Sequence, residues 1–186
     1  MVIRKLYRIE SAHIVRKAVS NRCSHSYHGH SGVFEIFFRS KAFDAAGMVY
    51  DFGAMKKTVG SFIDMFDHAV HLWSQDDPKN IEFFKGSNDR YIILPFNPTA
   101  ENYSLFFKKC VNDILNYSNF SNSECGVYCS GVRYHETSTG YAESEENDNC
   151  PFNLNQVEFS GGVLKEATPE IVDIINKIRI GERKDV

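Results

Sequence analysis

The chain has 186 residues, 42% hydrophobic and 24% charged, which fits one globular domain with room for an insertion or a tail. A net charge of −3 gives no electrostatic reason to expect nucleic acid or an acidic membrane surface as a partner. No apolar run approaches the roughly 18 residues needed to span a bilayer. The opening Met1-Val2-Ile3-Arg4-Lys5-Leu6 has no charged-then-apolar leader, and five cysteines (Cys23, Cys110, Cys125, Cys129, Cys150) show no disulfide-scaffold spacing. The expectation is a cytoplasmic protein with reduced thiols.

In chain order, residues 2–14 suit a first strand and residues 15–27 are irregular, with Ser20-Asn21 as turn material. Residues 28–40 form the clearest strand, with Phe34, Ile36 and Phe38 alternating onto one face. From Phe52 to Phe66 the period changes: Phe52, Met55, Val59, Phe62, Ile63 and Phe66 recur at three- and four-residue steps, predicting an amphipathic helix. It runs into Asp67-His68-Ala69-Val70-His71-Leu72. Residues 73–90 read as charged loop with a single turn around Ile81–Phe84, and Tyr91–Leu94 is a short apolar run.

Thr99 is placed to cap a second helix, with Glu101 favoured by the helix dipole, and the helix continues through Leu105, Phe106, Val111, Ile114 and Leu115. A third strand over 124–136 is expected to carry Cys125 and Cys129 on one face as buried structural thiols, and a fourth begins at Tyr141. The acidic run from Glu143 to Asn149 marks a composition shift. Beyond it, Val157–Phe159 and Gly162–Leu164 suggest a short hairpin, and Thr168 with Pro169 starts a final helix.

The chemistry concentrates in Ser24-His25-Ser26-Tyr27-His28-Gly29-His30. On a strand, His28 and His30 share a face, because side chains alternate with a period of two. A single histidine on an apolar face is usually a hydrogen-bonded core residue; a pair, with His13 at the end of a neighbouring strand, points instead to three imidazole ligands with one position open. Zinc suits that set best, although nitrogen ligands alone leave iron and other transition metals open. Cys23, just ahead of the pair, reads equally as a base or nucleophile near a cation or as a loop spectator. Asp67-His68 reads equally as a carboxylate steering an imidazole or as two solvated residues, since adjacent residues at a helix end do not normally face each other. His71 and His25 read as structural or surface residues. Glu136, at the end of the third strand, can accept paired hydrogen bonds from the amino and ring N–H edge of a guanine-like ring.

Six ordered motifs resemble the 6-pyruvoyltetrahydropterin and 6-carboxytetrahydropterin synthase family: Ser11-Ala12-His13, Cys23 with His28-Gly29-His30, Tyr50-Asp51-Phe52, Asp67-His68 with Leu72, Pro98-Thr99-Ala100-Glu101-Asn102, and Glu136-Thr137 before Thr139. The resemblance implies an α+β tunnelling fold: a four-stranded antiparallel sheet with two helices inserted between strands two and three. That core would occupy residues 1–144. Residues 145–186 would form a C-terminal extension, a hairpin and helix packed on the same domain.

The resemblance further implies a homohexamer built as a dimer of trimers and a zinc-dependent lyase. His13, His28 and His30 would hold Zn2+; Cys23, Asp67 and His68 would be catalytic; Glu136, Thr99, Glu101 and Thr137 would bind substrate. The implied reaction converts 7,8-dihydroneopterin triphosphate to 6-carboxytetrahydropterin, releasing acetaldehyde and triphosphate, in queuosine and 7-deazaguanine biosynthesis. A 6-pyruvoyltetrahydropterin synthase of the tetrahydrobiopterin route and a non-catalytic, zinc-stabilised pterin-binding protein stand as alternatives. Two local differences are visible. Four residues separate Cys23 from His28, where the family versions compared have three or five, and Ser31 is followed by Gly32 rather than an aromatic residue.

Overall fold

The computed structural model describes residues 1–181. The long strands β1 (Ile3–His13) and β2 (His28–Arg39) pair antiparallel along their whole length, from Ile3 opposite Phe38 to His13 opposite His28. β2 pairs in turn with β5 (Tyr128–Thr137), and β5 with β6 (Gly140–Ser144), both antiparallel. These four strands are the expected antiparallel sheet. The structure extends it. β3 (Ala69–Trp73) joins the end of β1 in parallel, β4 (Tyr91–Leu94) runs parallel to β3, and β7 (Glu158–Phe159) closes the edge antiparallel to β4. The result is one mixed seven-stranded sheet in the order β6-β5-β2-β1-β3-β4-β7.

One face of this sheet is packed. Phe34, Ile36 and Phe38 of β2 are fully buried, as the alternation in the sequence requires. Helix α5 (Ala100–Tyr117) lays Tyr103, Phe106, Phe107, Cys110, Val111, Ile114 and Leu115 onto them. α5 starts where the sequence indicates: the Thr99 hydroxyl accepts from Asn102 N at 3.3 Å. The segment from 52 to 64 is helical but not uniform. It consists of α2 (Phe52–Met55), a π turn (Lys56–Gly60) and α3 (Ser61–Asp64), and buries Met55, Val59, Phe62 and Ile63. Asp51 caps its start by accepting from Gly53 N and Ala54 N.

Several expectations need correction. Residues 78–87 are a ten-residue helix, α4 (Pro78–Ser87), rather than a loop with one turn; Asp77 caps it and Pro78 occupies its first turn. Gly162–Leu164 is not the second arm of a hairpin. The Ser160 hydroxyl accepts from Val163 N and so starts a short helix, α6 (Gly161–Glu166), which the final helix α7 (Pro169–Ile180) follows. Cys125 and Cys129 do not share a strand face: Gly126, at a φ of +58°, turns the chain between them, leaving Cys125 exposed and Cys129 buried.

The C-terminal segment is tied to the sheet by more than its apolar face. Lys108 of α5 is buried, and its Nζ donates to the carbonyls of Glu145, Glu146 and Asp148. Leu154, Val163, Ile171, Ile174 and Ile175 join the same hydrophobic cluster as α5 and β2. The expected extension runs to residue 186, of which 182–186 lie outside the described residues. No helix among the described residues is long and apolar enough to cross a membrane.

Candidate metal centre

The antiparallel register of β1 and β2 sets the site. It places His13 directly opposite His28, and His30 two residues along the same strand as His28. The three rings stand at steep angles to one another, 61 to 86° between planes, with centroids 4.8 to 5.1 Å apart. One ligand nitrogen from each lies within 4.8 Å of the others. The strand period of two therefore does what it promises, and the three imidazoles converge.

Two of the rings are oriented from behind. His13 is hydrogen-bonded to the Pro98 carbonyl, and His28 Nδ1 donates to the Ser26 carbonyl at 2.9 Å. This is how metal-binding imidazoles are held when the opposite ring nitrogen faces an ion. The Nε2 atoms of His13 and His30 are buried and have no hydrogen-bond partner. Unpaired buried polar atoms are costly unless something else meets them. A cation at the centre of the three rings would meet them, so the residues present fit a metal ion.

Electrostatics favour the ligand form. Burial, reinforced by the neighbouring His28 and His30 rings, lowers the His13 pKa to about 3. Burial also lowers that of His30, against an opposing pull from Glu136. Glu136 Oε1 sits 3.5 Å from His13 Nε2 and 3.9 Å from His30 Nε2. With His13 neutral, that contact is not an ion pair at neutral pH. The carboxylate overhangs the open side of the cluster.

Beneath the cluster lies a fourth imidazole. His71 of β3 pairs in register with His13 and is wholly buried. Its Nδ1 accepts from the Tyr103 hydroxyl at 2.6 Å, and its Nε2 donates to the Phe66 carbonyl at 3.0 Å. Burial lowers its pKa to about 4. With both nitrogens used, His71 is a structural residue.

Asp67 and His68 do face each other. Asp67 Oδ2 lies 2.8 Å from His68 Nδ1. The reason is backbone conformation: His68 adopts φ +52°, a left-handed geometry uncommon for a residue with a side chain, which swings the imidazole back over its neighbour. Glu10 pins the turn from both sides. Its N–H donates to Asp67 Oδ1 at 2.6 Å, and its carbonyl accepts from His68 N at 2.7 Å. The His68 ring is 72% exposed.

Two cavities meet at Gly29, His30 and Ser31. One, of about 430 Å³, also takes in Glu10, Ser11, His68 and Val70; the other, of about 550 Å³, takes in Arg4, Arg8, Glu35, His135, Glu136 and Thr137. The Asp67–His68 turn and the Glu136–Thr137 strand end thus flank the histidine cluster from opposite sides. Cys23 lines neither cavity. It is half-buried on α1 (Asn21–His25), the five-residue helix just ahead of β2. Thr99 spends its hydroxyl on capping α5, and Glu101 is exposed on the first turn of that helix.

Gly32 explains the difference in sequence after His30. A Cβ there would lie 2.5 Å from the Tyr134 hydroxyl oxygen, so the Tyr134 ring of β5 occupies the space. That ring is 1% exposed, packs on Phe34 and Tyr103, and hydrogen-bonds Ser11. Sequence reading missed it, because nothing in the strand pattern says which tyrosine leans across a neighbouring glycine.

Comparison with known proteins identifies the family. The family model described as 6-pyruvoyl tetrahydropterin synthase matches residues 2–147. The chain belongs to that family. A Helicobacter pylori (strain J99) protein named 6-carboxy-5,6,7,8-tetrahydropterin synthase is 42% identical over 144 residues, covering 77% of this chain and 72% of its own. A Rickettsia bellii protein of the same name is 36% identical over 89 residues, 47% of this chain and 64% of its own. Among solved structures, an uncharacterized protein from Wolinella succinogenes superposes with a TM-score of 0.61 at 20% identity, covering 80% of this chain and 98% of its own. Caenorhabditis elegans 6-pyruvoyl tetrahydropterin synthase gives 0.52 at 22% identity, covering 78% and 94%. At those identities the two structures establish a shared fold.

Proposed function

We propose that this protein is a zinc-dependent 6-carboxy-5,6,7,8-tetrahydropterin synthase. It would be a cytoplasmic lyase converting 7,8-dihydroneopterin triphosphate to 6-carboxytetrahydropterin, with release of acetaldehyde and triphosphate, in queuosine and 7-deazaguanine biosynthesis. The observation that carries the reading is the convergence of His13, His28 and His30, two of them with buried unpartnered Nε2 atoms, in a chain 42% identical to a synthase of that name.

In this reading His13, His28 and His30 hold Zn2+, which when bound supplies Lewis-acid stabilisation of oxyanions developing on the substrate side chain. Cys23 as thiolate withdraws a carbon-bound proton. His68, held by Asp67, carries protons to and from the side-chain oxygens; its exposed ring beside His30 supports that role. Glu136 accepts from the amino and ring N–H edge of the pterin, with Thr137 beside it in the same cavity. Glu101 and Thr99 belong to the ring-binding segment, Thr99 through the turn that it caps. Residues 1–144 form the catalytic core and the remainder an extension packed on it.

The sheet edges support an assembly of several copies. β1 meets β3 only over Ser11–His13, which leaves the outer edge of Ile3–Glu10 without a strand partner among the described residues, and β6 is the opposite end of the sheet. Open strand edges favour pairing with further strands. Three copies closing edge to edge, two such trimers stacked, is the proposed homohexamer; light scattering on the purified protein at a monomer mass would sink it.

Product analysis with 7,8-dihydroneopterin triphosphate tests the function. Acetaldehyde and 6-carboxytetrahydropterin are expected. A pyruvoyl product would move the chain to the tetrahydrobiopterin route, and bound pterin without triphosphate release would make it a binding protein.

A further inference from the structure

Cys23 sits on a segment that has little to hold it. α1 is five residues long, its Ser20 N-cap makes no side-chain cap bond, and only Ser24 within the helix is buried. So short a helix has no stability of its own. Its position must come from bonds to the rest of the molecule, and those bonds are polar.

They converge on Arg16, three residues beyond His13. The guanidinium donates from Nη1 to the Ser24 carbonyl at 3.1 Å, while the N–H of Val15 donates to the Cys23 carbonyl at 2.9 Å. The same guanidinium forks onto Asp76, Nε to Oδ1 at 2.7 Å and Nη2 to Oδ2 at 3.2 Å. Asp76 lies just past β3, its side chain 3% exposed, and also accepts from the Tyr27 hydroxyl at 3.1 Å. Tyr27 immediately precedes His28. Asn97 completes the frame: its side chain accepts from Arg16 N at 3.1 Å and donates to Arg16 O at 2.5 Å, next to the Pro98 carbonyl that orients His13.

We propose that Arg16 and Asp76 are positioning residues, whose forked ion pair fixes the Ser24–Tyr27 segment, and through it the Cys23 thiol, relative to the histidine cluster. The pair grips the four-residue interval at both ends, at Ser24 through Arg16 and at Tyr27 through Asp76. The interval between thiol and first strand histidine is thus set by a bridge across the fold as well as by chain length. The proposal rests on the reading of Cys23 as the catalytic base.

Arg16→Lys is the discriminating variant. Lysine keeps a positive charge opposite Asp76, but its single ammonium cannot serve both carboxylate oxygens and the Ser24 carbonyl in fork geometry. In the zinc-loaded full chain, kcat is expected to fall about 10- to 100-fold with KM changed less than about threefold, as for a reacting group misplaced by about an ångström. Zinc content should match wild type. Iodoacetamide alkylation at Cys23, resolved from the exposed Cys125 by peptide mass spectrometry, should change in rate severalfold. Tyr27→Phe, which removes one hydroxyl and keeps the ring against Phe84, should shift both readouts the same way by a smaller factor, and it serves if Arg16→Lys fails to fold. Wild-type kcat and wild-type Cys23 alkylation in the folded variants would overturn the proposal. Altered alkylation with unaltered kcat would instead uphold the positioning and remove Cys23 from the chemistry, an outcome that Cys23→Ala with full turnover would repeat.

Discussion

The histidine cluster and the residues proposed to transfer protons are built in opposite ways. His13, His28 and His30 stand on two long strands paired over their full length, and their convergence is fixed by register. Cys23 and Asp67–His68 stand on a five-residue helix and a strained turn, each held by a few hydrogen bonds from elsewhere in the chain. A metal ion held by this cluster would sit where backbone hydrogen bonding is densest. The His68 ring, proposed to carry protons, opens onto a cavity, and the Cys23 thiol, proposed as the base, is only half-buried. Disturbing the strands should therefore remove the metal, whereas disturbing the turns should leave the metal and remove the turnover.

The largest break of that contrast is His28→Ala. Stoichiometric zinc should be lost in metal analysis, and turnover should fall by more than the roughly 10- to 100-fold typical of residues that only support a ligand. Retention of full zinc would refute the three-imidazole centre. Cys23→Ala should leave zinc at the wild-type level and lower kcat by about 100- to 10,000-fold, the usual range for a positioned proton-transfer group. Equal turnover in the two proteins would discard the thiolate. His68→Gly should separate function from folding: kcat falls on the order of 100-fold, while chemical denaturation shows a stability gain of about 1 kcal/mol, because glycine adopts a φ of +52° without penalty. A lower stability would mean that the turn is held by the imidazole rather than strained by it.

The smallest effect concerns His71. Its pKa in the folded protein is about 4, below the ordinary histidine value of about 6.5. The unfolded chain therefore takes up the proton first, and stability falls as pH drops from about 6.5 to about 4. His71→Gln, compared with wild type at equal metal loading, should show a shallower decline of melting temperature across that window. Parallel profiles would contradict the assignment of a buried neutral imidazole.

Much of this was legible because the governing patterns are local. The period-two face of residues 28–38 announces both a strand and a shared orientation for His28 and His30, and the Thr99 cap announces α5. The parallel strands were not legible. Ala69–Trp73 and Tyr91–Leu94 are short and buried, and a short apolar run carries no period to separate strand from helix. α4 buries no residue fully, so no apolar stripe betrayed it, although Asp77-Pro78 is a helix start. Gly162–Leu164 reads as the second arm of a hairpin, and the Ser160 hydroxyl on Val163 N marks it instead as the start of a helix. The facing of Asp67 and His68 depends on a positive φ at a residue other than glycine, which no residue pattern announces. The Arg16–Asp76 bridge joins positions whose sequence neighbours give no hint of each other.

The close approach of Tyr134 to Gly32 reaches beyond this one chain. With a Cβ at position 32 falling 2.5 Å from the phenol oxygen, the two positions form a single steric unit shared by adjacent strands. Neither can drift alone. A lineage that acquires a side chain at 32 must shrink or turn away the residue at 134, and one that trims 134 leaves a void that a larger residue at 32 can fill. Across relatives, the bulk in this wall should therefore trade between two strands as a correlated pair, a signature that an alignment can seek without any assay.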